Sequence, residues 1–203
     1  MRNSWLFISR SAAKPPALVG AHAPLQNERQ DVTRIIPLDS QSDGAIDALL
    51  DAAFGADRRG RTAYAIRKGM RWLPELSYAA LDDAGALAGT LQSWPVALHG
   101  ADGVALPLIM VGPVAVRPDH QGGGIGRALM DAVVREARAA HAAPLMMIGD
   151  PEYYGRFWGF SAEGTTGWNA PGPFDPRRLL ALPIDGAPLP ATGILGPRLT
   201  QDA

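Results

Sequence analysis

The chain has no cysteine. Disulfide bonds, thiolate nucleophiles and thiolate metal ligands are therefore excluded. It also lacks any apolar run near the ~20 residues that a membrane-spanning helix needs. The short apolar run at residues 5–8 is smaller than the core of a secretory signal. We therefore expect a cytoplasmic protein that binds no membrane.

Basic residues are not in excess either. The 19 lysine and arginine residues against 20 aspartate and glutamate residues give a formal charge of -1, whereas general nucleic-acid binders carry a basic surplus. Since there is no visible repeat or linker in 203 residues, one domain is expected. We predict a loosely ordered arm at residues 1–30, the domain at residues 31–196 and a tail at residues 197–203.

The most informative stretch lies at residues 111–140. Val114, Ala115 and Val116 favour a strand, which Pro118 stops because it has no amide proton. A glycine-rich loop follows. Apolar residues then recur at three- and four-residue spacing, which predicts an amphipathic helix: Ile125, Ala128, Leu129, Ala132, Val133, Ala137 and Ala140. Because free amides at a helix start bind phosphate groups, we predict a phosphate site here.

Spacing excludes two nucleotide-binding loops. The dinucleotide pattern G-x-G-x-x-G requires a third glycine where this chain has Arg127 or Leu129, depending on the frame. The P-loop pattern requires a glycine-lysine pair followed by serine or threonine, and Gly126 is instead followed by Arg127 and Ala128. Another kind of phosphate loop is therefore needed.

The pattern Q/R-x-x-G-x-G/A is satisfied by Gln121, Gly124 and Gly126. Between a strand and a helix, it resembles the acyl-CoA loop of the GNAT superfamily of N-acetyltransferases. The resemblance implies acetyl-CoA as co-substrate, no metal, and a binding surface made by the loop and the strand before it. The residues that it assigns to this surface are Val114, Ala115, Val116, Gln121, Gly122, Gly123, Gly124, Ile125, Gly126 and Arg127.

Hydrophobic patterning predicts an α/β fold with a mixed sheet. Strands are expected at residues 32–36, 76–81, 87–98, 106–116, 145–148 and 179–182, helices at residues 46–54, 58–68 and 125–140, and an irregular segment from residue 186. The crossover helix after the fourth strand makes the fourth and fifth strands parallel. The GNAT resemblance implies the same plan: a mostly antiparallel sheet, a splayed parallel pair at the cofactor cleft, and flanking helices.

The densest basic cluster lies at residues 57–72: Arg58, Arg59, Arg61, Arg67, Lys68 and Arg71. It could contact an acidic substrate or an outer phosphate of the cofactor. Exposed charges more often only face solvent, so we interpret the cluster as a solvated helix face.

A second motif follows the fifth strand. The Asp150-Pro151 pair predicts a helix start, and Gly159 a helix end before Phe160 begins the next strand. The run is similar to the G-D-P-x-Y-Y-x-R-F-G-F run of a bacterial GNAT subgroup, with Trp158 as one extra residue. In GNAT proteins a tyrosine of this helix commonly faces the thioester sulfur. The resemblance assigns that role to Tyr154 or Tyr153, which are therefore the candidate catalytic residues, and we favour Tyr154.

These motifs predict transfer of an acetyl group from acetyl-CoA to a primary amine by direct attack, since no cysteine can carry the acyl group. A tyrosine hydroxyl is a suitable proton donor to the leaving thiolate. No general base stands out among Glu152, Asp150 and His99. The alternative is a non-catalytic acyl-CoA-binding regulatory module. The acceptor is a small-molecule or peptide amine, and a homodimer is left open because the sequence does not fix the oligomeric state.

Overall fold

The computed structural model describes residues 34–198. The predicted arm at residues 1–30 and most of the predicted tail lie outside this range. Within it the α-helices and strands follow in this order: β1 (Arg34–Pro37), α1 (Asp43–Phe54), α2 (Thr62–Ile66), β2 (Tyr78–Leu81), β3 (Leu87–His99), β4 (Ala105–Val116), α3 (Ile125–Ala139), β5 (Leu145–Ile148), α4 (Pro151–Trp158), β6 (Gly167–Asn169), β7 (Leu179–Leu182) and β8 (Thr192–Pro197). None of these helices is long and apolar enough to cross a membrane.

One sheet organises the described chain, with the strand order β1-β2-β3-β4-β5-β7. Neighbours in this order are antiparallel except β4 and β5. The long strand β3 pairs with β2 through its first half and with β8 through its second half, and the short β6 runs parallel to β8. The prediction of a mostly antiparallel sheet with a parallel pair is confirmed.

The parallel pair diverges soon after it forms. β5 pairs with β4 only at Ile109 and Met110. Immediately beyond, a β-bulge places Gly112 and Pro113 of β4 opposite Gln92 of β3. A bulge bends its strand and increases the local twist. The last residues of β4 therefore stay with β3 and leave β5, which opens a gap between the two parallel strands.

Helices cover both faces of the sheet. The buried face of α3 packs with α4 against one side, whereas Ile46, Leu49 and Leu50 of α1 pack against the other. Successive β4 residues alternate between these layers, since Ala115 contacts the α1 layer and Val114 the α3 layer. The gap in the sheet is thus enclosed by helices above and below.

Three details differ from the sequence prediction. The expected helix at residues 58–68 is a 3₁₀ turn at Ala56–Gly60 followed by the five-residue α2, because Arg61 between them has an extended backbone (φ -80°, ψ 150°). Phe160 begins no strand, and the next one is β6. The segment predicted to be irregular contains β8, whose pairing with β3 comes from a partner about a hundred residues away.

Candidate functional site

Main-chain groups at the end of β4 face the gap. The Arg117 N–H donates to the carbonyl of Ala88, the second residue of β3, at 2.8 Å. Ala115, two residues before Arg117 and paired with Thr90, therefore also directs its main-chain groups toward β3. Because hydrogen-bonding direction alternates along an antiparallel strand, the N–H and C=O groups of Val114 and Val116 point away from β3. They are directed into the space that β5 vacates.

The loop after β4 is shaped by two glycines. Gly122 (φ 92°) and Gly124 (φ 81°) adopt the left-handed conformation that favours glycine. Gly123 has no positive φ, and a Cβ atom there would come no closer than 3.6 Å to the His120 carbonyl. Only the two flanking glycines are conformationally required.

The start of α3 has no side-chain cap. Gly124 occupies the N-cap position and has no side-chain oxygen, whereas Ser42 caps α1 and Asp150 caps α4. The first N–H groups of α3 are therefore available to oxygen atoms of a ligand, at the positive end of the helix dipole. This local feature suits an anionic group.

Arg117 fixes the base of this loop. Its guanidinium bonds Asp119 at 2.8 Å and Asp82 of the β2–β3 turn at 3.2 Å, and His120 lies 3.0 Å from it. Amides of that turn, Ala86 first, lower the pKa of Asp82, so its carboxylate stays charged. The loop is thus held by a turn distant in sequence.

Two cavities meet in the gap. The larger, which we call the cofactor cavity, has a volume of about 380 Å³ and runs from the end of β4 over the glycine loop. The smaller, which we call the acceptor cavity, has a volume of about 70 Å³ and lies at the β4 bulge on the side of α2. Four residues line both: Phe54, Arg61, Val114 and Tyr154.

The cofactor cavity brings together most of the residues assigned from the sequence. Its wall contains Val114, Ala115, Val116, Gln121, Gly122, Gly124, Ile125, Gly126, Arg127, Tyr153 and Tyr154. Gly123, which the resemblance also assigned to the binding surface, does not line this cavity. The wall includes five further residues that no sequence motif indicated: Ala53, Phe54, Arg61, His120 and Phe157. Phe157 follows Tyr153 by four residues, so helical spacing could have found it.

The two tyrosines of α4 take different positions. Tyr154 is only 2% exposed, lines both cavities, and its hydroxyl has no hydrogen-bond partner among the described residues. Burial raises the pKa of Tyr154 well above its ordinary value. Tyr153 is partly exposed and lines only the cofactor cavity, near Arg127. Of the two tyrosines, only Tyr154 therefore lies where the cavities join.

Contacts at both ends of α4 hold this arrangement. Asp150 accepts hydrogen bonds from the amides of Glu152 and Tyr153, which fixes the first turn. The extra residue Trp158 lies at the other end, and its indole N–H donates to Asp131 of α3 at 2.8 Å. Since the additional residue follows the tyrosines, it lengthens the last turn and leaves their direction from the cap unchanged.

Gly149 is required by the same packing. A Cβ atom built on it would lie 2.7 Å from two ring carbons of Tyr154, closer than side-chain carbons approach one another. The glycine of the G-D-P sequence therefore gives the tyrosine ring its place directly after β5.

None of the suggested base candidates lines a cavity. Asp150 is occupied as a helix cap, Glu152 is exposed, and His99 lies at the far end of β3 beside Pro197. Neither cavity wall contains a carboxylate among the described residues. In residues 34–198 no group of three or more histidine, aspartate or glutamate side chains is placed to hold a metal ion.

Arginines line the acceptor cavity, and two of them are buried. Arg58 is 2% exposed and Arg67 is 4% exposed, so the interpretation of a solvated helix face is wrong for both. The Arg58 guanidinium bonds Asp51 at 2.6 Å, Asp47 and the Tyr64 hydroxyl. Burial alone would lower its pKa, but these hydrogen bonds together raise it. Arg58 is thus a neutralised, structural cation.

Arg67 has a different environment. Its guanidinium carbon lies 4.1 Å from the Tyr64 ring centre and 4.3 Å from that of Trp94. Its Nη1 donates to the Gly112 carbonyl of the β4 bulge at 2.9 Å. Burial lowers the pKa of Arg67 to about 10, because the site stabilises its charge less than water does.

A family model described as an acetyltransferase (GNAT) domain matches residues 37–161. The chain belongs to this family of acetyltransferases. This GNAT protein is 30% identical over 122 residues to the uncharacterised N-acetyltransferase YhbS of Escherichia coli strain K12, a match that covers 60% of the chain and 68% of YhbS.

Solved GNAT structures share its fold. The structure of Escherichia coli YhbS in complex with CoA has a TM-score of 0.60 at 24% identity and covers 92% of this chain and 94% of that one. A GNAT family acetyltransferase from Brucella melitensis in complex with acetyl-CoA has a TM-score of 0.58 at 27% identity, with 79% and 92% covered. The family and the fold inferred from the glycine loop are confirmed.

Proposed function

We propose that this GNAT acetyltransferase transfers the acetyl group of acetyl-CoA to a primary amine by direct attack of the amine on the thioester. The observation that carries the proposal is the junction of two cavities at Val114 and Tyr154. One cavity suits a long phosphorylated molecule and the other a small acceptor. The solved relatives in complex with CoA and acetyl-CoA support the choice of co-substrate.

The cofactor cavity fits acetyl-CoA by its chemistry. The uncapped start of α3 and the glycine loop supply main-chain N–H donors for phosphate oxygens. The main-chain groups of Val114 and Val116 line the way to the junction and suit the amide groups of the pantetheine arm. When bound, acetyl-CoA supplies an activated acyl group on a thiol leaving group.

Within this proposal the chain has three tasks. Main-chain N–H at the end of β4 binds the carbonyl oxygen, where negative charge develops during the reaction. The arginines around the acceptor cavity lower the proton affinity of an amine, which favours the neutral nucleophile. The new C–N bond forms as the C–S bond breaks. The amine proton leaves to solvent, because no described carboxylate lines the cavities.

Tyr154 is the proton donor to the departing thiolate, and it then regains a proton from the solvent that has taken up the amine proton. Because burial raises the pKa of Tyr154, its hydroxyl is protonated throughout the neutral range and its proton is present when the C–S bond breaks. Its hydroxyl has no competing partner among the described residues. For these reasons we propose Tyr154, and not Tyr153, as the proton donor.

Binding is tested by calorimetry with acetyl-CoA on the wild type, Gly124→Asp and Gly123→Ala. Gly124→Asp forces a side chain onto a left-handed residue and puts a negative charge beside the phosphates, so we expect affinity to fall by about 100-fold or more. Gly123→Ala is the matched control and should stay within about threefold, because Gly123 has no positive φ and lies outside the cavity wall. Equal binding heats for wild type and Gly124→Asp would show that the glycine loop does not bind acetyl-CoA.

Turnover is tested by thiol release from acetyl-CoA with a panel of primary amines, together with mass detection of the acetylated amine. Equal amounts of thiol and acetylated product are expected, because each acetyl group that leaves CoA passes to an amine and none passes to water. Acetyl-CoA binding without turnover of any amine would favour the regulatory module instead.

A further inference from the structure

The acceptor cavity contains a buried cation without a counterion. Arg67 lines this cavity and is 4% exposed. No carboxylate in residues 34–198 forms an ion pair with it. Its partners are neutral groups: the Gly112 carbonyl, the rings of Tyr64 and Trp94, and the polar end of Tyr64. Aromatic faces and one carbonyl compensate only part of the loss of hydration. A buried guanidinium therefore retains a demand for a negative partner.

Arg58 shows how this chain neutralises a buried arginine when the role is structural. It binds two carboxylates of α1, Asp47 and Asp51, spaced one helical turn apart. The two arginines lie in the same short segment and contact the same ring, Tyr64. Of these two arginines, only Arg67, which contacts the β4 bulge, lacks an acidic partner among the described residues. The difference is one of placement, because Asp47 and Asp51 of α1 are already bound to Arg58 and Arg59.

The position of Arg67 relates it to the reacting atoms. Its contact residue Gly112 belongs to the bulge that separates β4 from β5. Val114, two residues further on, is shared by both cavities. A molecule whose amine reaches this junction would extend its other end toward Arg67. The cavity is small, at about 70 Å³, so one compact planar group fits it better than a larger one.

We propose that the acceptor is an amine that also carries one carboxylate, and that the Arg67 guanidinium binds this carboxylate in the acceptor cavity. The proposal rests on the proposed acetyl transfer, which it narrows to a class of amino acids or short peptides with a free carboxylate. A carboxylate matches the planar donor array of a guanidinium. Diamines and polyamines are poor acceptors on this view, because a second ammonium group would face Arg67 and Arg61.

The experiment compares linear ω-amino acids, from glycine to 6-aminohexanoate, each with its own amide. Each pair has the same length and the same amine and differs in charge at the far end. Binding is measured by calorimetry on protein saturated with CoA, and turnover by thiol release from acetyl-CoA. For the best chain length we expect the carboxylate to be preferred at least ~10-fold in both measurements.

Variants assign the preference to one residue. In Arg67→Met we expect the preference for the carboxylate over the amide, in affinity and in turnover, to fall from at least ~10-fold to between about 1-fold and about 2-fold. Arg67→Gln, which can still donate to the Gly112 carbonyl, should behave in the same way and replaces the methionine variant if that one fails to bind acetyl-CoA. Arg59→Met is the matched control from the same basic cluster, since Arg59 lines neither cavity, and it should keep the wild-type ratio.

Each result decides the question. Equal use of carboxylates and amides by the wild type, or a preference that survives both Arg67 variants, would overturn the inference and leave acetyl transfer standing. A stronger response to the matching aminoalkylphosphonate would overturn the choice of carboxylate. Arg67-dependent carboxylate binding without thiol release would support the carboxylate site and overturn the transfer reaction. Absence of binding and turnover across the whole series would overturn the inference.

Discussion

The two cavities that meet at Tyr154 are built in different ways. The cofactor cavity depends on main-chain groups, on two left-handed glycines and on an uncapped helix start. The acceptor cavity depends on side chains that come from separate segments, including Arg67, Met110, Met147 and Tyr154. A main-chain site suits any molecule with the same phosphorylated arm. A side-chain site can change with a few substitutions, and specificity is therefore expected in the acceptor half.

The largest effect is expected from a change in Tyr154, the tyrosine that lines both cavities. In Tyr154→Phe we expect kcat to fall by about 100-fold, the size of a lost proton donor, with unchanged affinity for acetyl-CoA. Stability should hardly change, because the hydroxyl bonds no described residue. Steady-state kinetics and calorimetry measure the two quantities.

Tyr153→Phe is the control on the same helix. It faces only the cofactor cavity, so we expect kcat to stay within about threefold of the wild type. A larger loss of kcat in Tyr153→Phe than in Tyr154→Phe would mean that Tyr153, and not Tyr154, is the proton donor.

Replacing each buried arginine by methionine sharpens the contrast within the acceptor half. Arg58→Met removes a cation with two carboxylate partners, and we expect the free energy of unfolding to fall by about 1–2 kcal/mol, a figure limited by the partial exposure of both carboxylates. Arg67→Met removes a buried charge that has no counterion, so stability should stay within about 0.5 kcal/mol or rise. Urea unfolding of both variants measures this difference. A loss in Arg67→Met as large as in Arg58→Met would mean that Arg67 is a structural cation too.

Gly149→Ala tests whether Tyr154 must be held in one place. The added methyl group would overlap the tyrosine ring, so we expect turnover to fall by about tenfold and unfolding free energy by about 1 kcal/mol. Gly60→Ala is a suitable control, because a Cβ atom there meets nothing within 4 Å. Unchanged kinetics in Gly149→Ala would show that the ring can move without loss of function.

The smallest expected effect is a pH dependence of carboxylate binding. The N-acetylated product is the right probe, because it has a carboxylate and no titrating amine. The Arg67 guanidinium attracts the carboxylate only while it is protonated, and burial lowers the pKa of Arg67 to about 10. Affinity should therefore be constant from about pH 7 to 9 and roughly halved near pH 10.

Arg58 cannot cause such a decline, because its hydrogen bonds raise its pKa above the usual value. Calorimetry across the range detects the effect, and Arg67→Gln should show none of it. Constant affinity of the wild type through pH 10.5 would contradict a charge-based contact.

Prediction from the sequence succeeded where structure is local. The glycine loop, the Asp150 cap and the spacing of α3 each depend on residues within a few positions of one another, and all three were found. It failed for β8, whose pairing depends on β3. The sequence also does not reveal which glycines have a positive φ: Gly122 and Gly124 do, and Gly123 between them does not.

The basic cluster illustrates the same limit at the site. Six positive residues within 16 positions predicted a solvated face, and Arg59 with 54% of its side chain exposed fits that description. Arg58 and Arg67 do not, because their burial is decided by α1 and by the β4 bulge. No spacing within the cluster distinguishes these three arginines.

The sequence by itself determined the family, the loop that fits acetyl-CoA and the helix that carries the tyrosines, because short-range backbone geometry is written in glycine, proline and helical spacing. Only the tertiary structure decided which tyrosine stands at the junction and which arginine is left without a counterion. Both depend on groups that meet across the sheet: Tyr154 on Gly149 and Trp158, and Arg67 on Trp94 and Gly112. Burial and charge compensation are properties of these contacts, which a linear pattern does not contain.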